Sequence, residues 1–478
     1  LIFFWLCILV SINSIYSQTF QAQYLKFFFP FSKKSFFYIF NYIRFYLPIL
    51  FLPILIIFFF KSQVKKPNII IPLFFAYYCW QLIMFFVSGA NTGEIPLKRF
   101  DTYSYTAYKE AFWNNLHLIS CAISALIVIS IAQNLNLKEF NKKILLTTLL
   151  FLGIVSIYFS YNLLSESIER NLKFVYNSLM LNSDDWQTFG QASPRITGVS
   201  RMVLIFYFLA FCYFINTNKK ILLYFITIAL GLLLYKMQAR GSFVGIFMLF
   251  FLFFIFNSFS FKKKLKIFII LLVIPVFLFE AYYHMKSNNF YVFTQKNEVL
   301  DLKKNNGTVV VQNKNRLLDL KETASSGRTN IWRNALLVVK EKKIIFGYGP
   351  QADRFLMTEL LLRAKKESIF LDRWGNKFVY GDNVSNALIY SYLCGGIPGL
   401  LMLIIIYLLA IITVIKNIFI EKIFLNKNTL KTFSTILLIY LGIRSVFENS
   451  FSVFSVDYIL FILSYLIARK GEESERQV

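Results

Sequence analysis

A chain of 478 residues that is 57% hydrophobic and 19% aromatic, with 56 Phe and only 16% charged residues, carries more apolar surface than a soluble core can hide. Lipid solvates such surface, so the composition points to a polytopic membrane protein and excludes a soluble enzyme or carrier. The net charge of +26 does not indicate nucleic-acid binding, because most basic residues sit in short clusters between apolar runs and no soluble basic domain is present.

A helix needs about 20 apolar residues to cross the hydrocarbon. By that measure candidate spans lie near 1–16, 36–60, 68–89, 115–135, 143–164, 201–216, 220–236, 241–258, 265–284, 386–415, 430–446 and 454–468. The fold expected is therefore all-α and polytopic, with about twelve transmembrane helices and a large periplasmic loop carrying short amphipathic helices. The first run has no basic n-region and does not read as a secretory signal, and whether it is a complete span stays open. Cys7, Cys79, Cys121, Cys212 and Cys394 all fall inside apolar runs without a CxxC and read as packing residues. His117 and His284 are the only histidines and are far apart, so neither a metal nor another cofactor is expected.

Orientation follows from the short loops. Lys61, Lys65 and Lys66 form one basic cluster, and Lys138, Lys142 and Lys143 another. Lys219 and Lys220, then Lys262, Lys263, Lys264 and Lys266, then Lys416, Lys422, Lys427 and Lys431 continue the series in alternate loops. These mark the cytoplasmic side, with the tail 469–478. The chain then divides into an N-terminal bundle of about nine spans (1–284), a large outer loop (285–385), about three C-terminal spans (386–468) and that tail.

A loop of this length is no plain connection. Its stretch 286–326 is rich in Asn and Lys. From Ser326 or Thr329, either of which can cap a helix, Ile331, Ala335, Val338 and Val339 recur on one face with Trp332 beside them, and Gly347 and Gly349 end the run. A second amphipathic run, 353–366, follows. Two such helices are expected to lie flat on the outer leaflet, the alternative being a folded cap with no chemistry. The loop holds 18 Lys and Arg against 10 Asp and Glu, which favours an anionic substrate.

Arginines on the outer side run against the charge pattern. Arg195 and Arg201 stand at the entry of the span near 201–216, Arg240 at the entry of the span near 241–258, and Arg328 opens the loop helix. Arginine's planar fork suits phosphate oxygens, although each of these residues can also snorkel at a helix end. Gly395, Gly396, Pro398 and Gly399 interrupt the start of the span 386–415, permitting close helix packing or a bend. Arg444, Glu448 and Asp457 flank the last outer turn, and the four-residue spacing of Arg444 and Glu448 suits an ion pair on one helix face. No P-loop, dinucleotide-binding glycine run or GxSxG is present.

With these residues laid out, the chain resembles the O-antigen ligase and O-antigen polymerase superfamily of bacterial inner membranes. The resemblance rests on Gly327-Arg328, Trp332, Gly347-Tyr348-Gly349, Ser385-Asn386, Gly396 and Gly399, in that order. Ala239-Arg240-Gly241, Arg195-Ile196-Thr197-Gly198 and the turn bearing Arg444 and Glu448 are similar to further family elements. The chain departs from the ligase branch at Ser385, where that branch carries a His, and at Ile344-Ile345-Phe346, which lacks the usual Pro before the Gly-x-Gly turn.

The resemblance implies glycan transfer on the periplasmic face of the inner membrane, without metal or ATP. Undecaprenyl-diphosphate-linked oligosaccharide would be the donor, and Ser385 favours a polymerase of repeat units. The alternatives are a ligase moving finished glycan to lipid A core or to a protein, and a lipid-linked oligosaccharide flippase. Arg240 and Arg328 would hold the diphosphate, with Arg195 or Arg201 assisting. Asn386 and Asp382 would orient the sugar hydroxyl or the loop, and Asp382 and Glu448 are the candidate bases. Trp332, Ser385 and Arg444 would line the substrate site. The partners expected are the lipid-linked donor and acceptor, membrane lipid and a chain-length regulator, with no nucleic acid.

Overall fold

The computed structural model describes residues 52–57, 59–60, 68–88, 196–216, 220–237, 240–278, 328–350, 352–353, 356, 384–425, 428–448, 451 and 456–469, with single positions at 123, 127, 129–130 and 153. The expected span 1–16, all but one residue of 143–164, most of 115–135 and much of 36–60 fall outside these residues, as do most of the second amphipathic run, most of the outer loop and the tail.

The described residues are helical, without a strand. In chain order they form α1 (Ile70–Ser88), α2 (Ile196–Asn216), α3 (Lys220–Met237), α4 (Arg240–Phe256), α5 (Phe261–Phe268, running into a π-helical turn Ile269–Val273), α6 (Arg328–Lys342), α7 (Ala387–Ile415, running into a π-helical turn Lys416–Ile420), α8 (Thr429–Phe447) and α9 (Val456–Arg469). Among the described residues three helices are long and apolar enough to cross a membrane: Ile70–Val87, Ala387–Ile420 and Thr429–Phe447. Ser200–Ile215, Ile221–Tyr235 and Gly241–Phe256 are shorter apolar helices.

The outward faces bear the mark of lipid. On α4, Val244, Phe247, Phe251 and Ile255 recur at helical spacing and stand exposed, and Leu401, Ile405, Leu408 and Ile412 do the same on α7. Stripes of Ile and Phe on the outside of a helix are stable only against hydrocarbon. The chain is therefore a membrane protein in its structure as well as its composition.

Inside, α8 packs along α9 and α2 along α3, while α2 joins the two pairs through α8 and α7 lies against α1. Gly245 lets α4 close on α2 and α8: a Cβ there would stand 2.6 Å from Leu204 Cδ2 and 3.0 Å from Tyr440 Cε2. Aromatic rings fill the centre edge to face, as Phe211 does against Phe250 and Phe253. Pro275 has no N–H for the carbonyl of Leu271 one turn back, and the Tyr207 hydroxyl donates to that oxygen at 3.1 Å.

The two ends of the bundle differ chemically. At one end Asn257 Nδ2 donates to Phe424 O at 3.1 Å, so the start of α5 with Lys262, Lys263, Lys264 and Lys266 meets the turn between α7 and α8. Lys431 pairs with Glu421 there, and Asn417 Nδ2 reaches Thr435 Oγ1 at 3.0 Å and Ala468 O at 3.2 Å. The lysines of α5 and Lys431 of α8 thus share one end. Arg201 and Arg444 meet at the other.

Candidate functional site

The opposite end is built from the starts of α2, α4 and α9 and the end of α8. Arg201, in the second turn of α2, donates from Nη1 to Asp457 Oδ1 at 2.7 Å. Asp457, in the first turn of α9, accepts from Arg444 Nε on its other oxygen at 3.1 Å. Arg444 also reaches the Tyr440 hydroxyl at 3.4 Å, one turn back on α8. Side-chain exposure is 3% for Arg201, 12% for Arg444 and 0% for Asp457, so one buried carboxylate bridges two guanidiniums. Buried charge persists only when paired in this way.

α4 comes up to the same cluster at Gly241. A Cβ on Gly241 would stand 3.8 Å from Arg444 Nη1, which sets the backbone following Arg240 beside the guanidinium. The N-termini of α2, α4 and α9 all point to this end, and their N–H groups, which have no acceptor within the helix, add partial positive charge to it. Glu448 ends α8 in an extended conformation and contributes negative charge to the surroundings of Arg444. The sequence put Glu448 forward as the ion-pair partner of Arg444. Asp457 binds Arg444 directly and brings in Arg201, a residue 256 positions away.

Asn386 and Trp332 tie the loop to this end. Asn386 caps α7: its Oδ1 accepts from the N–H groups of Leu388 at 2.9 Å and Ile389 at 3.1 Å, and its Nδ2 donates to Val446 O at 3.0 Å on α8. Ser385 beside it has φ +47, a left-handed conformation that few side chains adopt. Trp332 on α6 donates to Val384 O at 2.9 Å and sets its ring 6.4 Å from that of Phe447. Asp353, which sequence reasoning placed only in an amphipathic run, is buried and accepts from Val384 N–H at 3.2 Å.

α6 does not have the leaflet beneath the face predicted for that contact. Ala335 and Val338, with Ile331, Trp332 and Val339 beside them, pack on Val384, Tyr390, Leu393 and Cys394. The apolar period was read correctly and its partner was not, because the start of α7 offers the same apolar surface as lipid. Leu336 and Leu337 are the large apolar residues of α6 that stand exposed.

The Gly-x-Gly turn closes the arrangement. α7 is not one straight rod: Gly396 has φ +63 and ψ −155 inside it, with Pro398 two residues on. Such a break frees carbonyls, and each has found a donor. Leu393 O accepts from Tyr348 N at 3.1 Å, and Cys394 O, whose helical partner would be Pro398, accepts from Gly349 N at 2.8 Å. Gly395 O accepts from Trp80 Nε1 on α1 at 2.6 Å. In return Ile397 N donates to Ile345 O at 2.8 Å. Gly347, at φ +87, fits because any Cβ would lie 2.4 Å from Cys394 O. The glycines expected to allow either close packing or a bend allow both, and the loop turn is the wedge that fills the bend.

Of the residues singled out by sequence, the structure brings together Arg201 and Arg444, with the start of α4 beside them, and, around α7, Trp332, Ser385 and Asn386. Arg240 and Arg328 are the first residues of α4 and α6. Arg195 and Asp382 lie outside the described residues. Among the described residues no cluster of His, Cys, Asp and Glu is suited to a metal ion.

Residues 223–404, from α3 through the break in α7, match the family model described as O-antigen ligase. No curated protein matches the chain.

Proposed function

We propose that the chain, whose residues 223–404 match the family model described as O-antigen ligase, polymerises undecaprenyl-diphosphate-linked repeat units on the periplasmic face of the inner membrane. A hydroxyl of the acceptor glycan attacks the anomeric carbon of the donor. The bond from that carbon to the diphosphate oxygen breaks, and the diphosphate leaves with the electron pair while the hydroxyl proton passes to a base. The demand on the protein is to stabilise the leaving diphosphate with fixed positive groups.

The observation that carries this reading is the Arg201–Asp457–Arg444 cluster at the helix N-termini. In it Arg201, committed to Asp457 and buried, is a positioning residue: it fixes α2 and α9 relative to α8. Arg444 is the more accessible of the pair and abuts the start of α4. Arg240, Arg328 and Arg195 are then the groups proposed to hold the diphosphate, with Asp382 and Glu448 the proposed bases. Ser385 in place of the ligase branch's His favours polymerase. The ligase reading remains the second one, since the matched family bears that description.

The test is a surface-glycan ladder in cells lacking the gene and restored with wild type or Arg328→Ala. Loss of the ladder with one repeat still on its acceptor supports polymerase. Loss of all attached glycan, with long polymer kept on the lipid carrier, supports ligase. An unchanged ladder on deletion sinks both.

A further inference from the structure

We infer that the buried polar groups of Tyr77 and Gln81 of α1, Ser391 of α7 and Tyr458 of α9, beside the break in α7, form a hydrated site that holds bound water inside the bundle. The inference is independent of the glycan-transfer reading, because none of these residues belongs to the arginine cluster.

All four side chains are fully buried. Among the described residues, Gln81 Nε2 and Oε1, Ser391 Oγ and Tyr458 OH have no hydrogen-bond partner. They surround Tyr77, whose hydroxyl donates to Phe451 O at 3.3 Å with Ser391 and Gln81 beside it and whose ring lies 5.5 Å from that of Tyr458. The break stands directly above: a Cβ on Gly395 would lie 3.5 Å from Gln81 Cγ, and one on Gly399 would lie 3.6 Å from Ser391 Oγ.

Leaving a buried polar group unmet costs about 1–3 kcal/mol, and several such groups in one place are not tolerated without an occupant. The chemistry of the set selects that occupant. Gln81 Nε2 can only donate, Oε1 can only accept, and the two hydroxyls do either. A metal ion needs acceptors and an anion needs donors, whereas this mixture suits a small neutral molecule that does both. Water also fits the setting, since irregular backbone at membrane depth is stable where it is buried in protein or lines a wet space.

X-ray radiolytic footprinting of the whole protein in nanodiscs reads this directly, because bound water activated in place oxidises the side chains touching it. Tyr77 and Tyr458 should label several-fold faster than Tyr207, which is equally buried but spends its hydroxyl on Leu271 O. Gln81→Leu with Ser391→Ala should bring that rate down towards the Tyr207 level. If Tyr77 and Tyr458 label no faster than Tyr207, or label alike in wild type and variant, the site is not hydrated. Ser391→Ala alone serves if the double variant folds poorly. A rise in its melting temperature would mean a dry site and would overturn the proposal, while an unchanged or lower melting temperature with slower Tyr77 labelling supports it.

Discussion

Asn386 and Tyr407, twenty-one positions apart along α7, bond to adjacent residues of α8: the Asn386 amide donates to Val446 O and the Tyr407 hydroxyl meets Ser445 Oγ. Along a straight helix the two would be separated by about 31 Å. Neither side chain has the reach to close that gap, so the stretch before Gly396 turns across the end of the bundle and only the stretch after it descends. Gly396→Ala should therefore be among the most damaging single changes. Its Cβ would fall 2.1 Å from Ile345 O at a φ of +63. The strain alone is about 1–3 kcal/mol before the clash is counted. Gly442→Ala, with only Phe461 at 3.7 Å, should be neutral or stabilising by up to about 1 kcal/mol. Thermal unfolding in detergent of the two variants beside wild type checks the contrast.

Asp457 bridges two guanidiniums, so its loss strands both. Asp457→Asn should cost about 3–5 kcal/mol, the price of an uncompensated buried charge. Combining it with Arg201→Met should recover part of the loss. A double variant that melts no higher than Asp457→Asn alone would mean that the pair contributes little.

Arg444 uses two edges of its fork, Nε on Asp457 and Nη1 on the Tyr440 hydroxyl. Lysine offers a single ammonium and cannot serve both. Arg444→Lys should lower polymer yield in cells while leaving protein abundance near wild type. Equal yield would remove Arg444 from the substrate side of the site.

Asn386→Ala removes a cap and should cost about 1–2 kcal/mol. Asn386→Asp keeps the oxygen that accepts from Leu388 and Ile389 and loses only the amide donated to Val446. If Asn386 acts solely as a cap, the Asp variant should retain most of the polymer. If it also orients a sugar hydroxyl, that variant should be stable and inactive. Melting temperature and glycan ladder measured on the same preparations separate the two.

Much of this was legible in the chain. Helical spacing gave the face of α6 through Ala335 and Val338, and length and hydropathy gave the positions of α1 and α8. Gly347 and Gly349 read as a turn because glycine takes positive φ readily. What a pattern of local spacing cannot carry is the distant partner. Arg201 and Asp457 are 256 positions apart, and nothing near either announces the other. Gln81 was one amide in an apolar run. Asp353 sat among exposed-looking charges until Val384 closed over it.

The donors that quiet the broken helix all precede it in the chain. Trp80 is made first, then Ile345 to Gly349, and the carbonyls of Leu393 to Gly395 emerge from the ribosome last. When the break reaches the membrane, its partners have already been synthesised, and the segment need never face hydrocarbon with open carbonyls. The turn that braces the break is thus in place in the chain before the helix it braces, and a chain with Ile345 to Gly349 deleted is expected to stall at insertion of that helix rather than merely lose a turn.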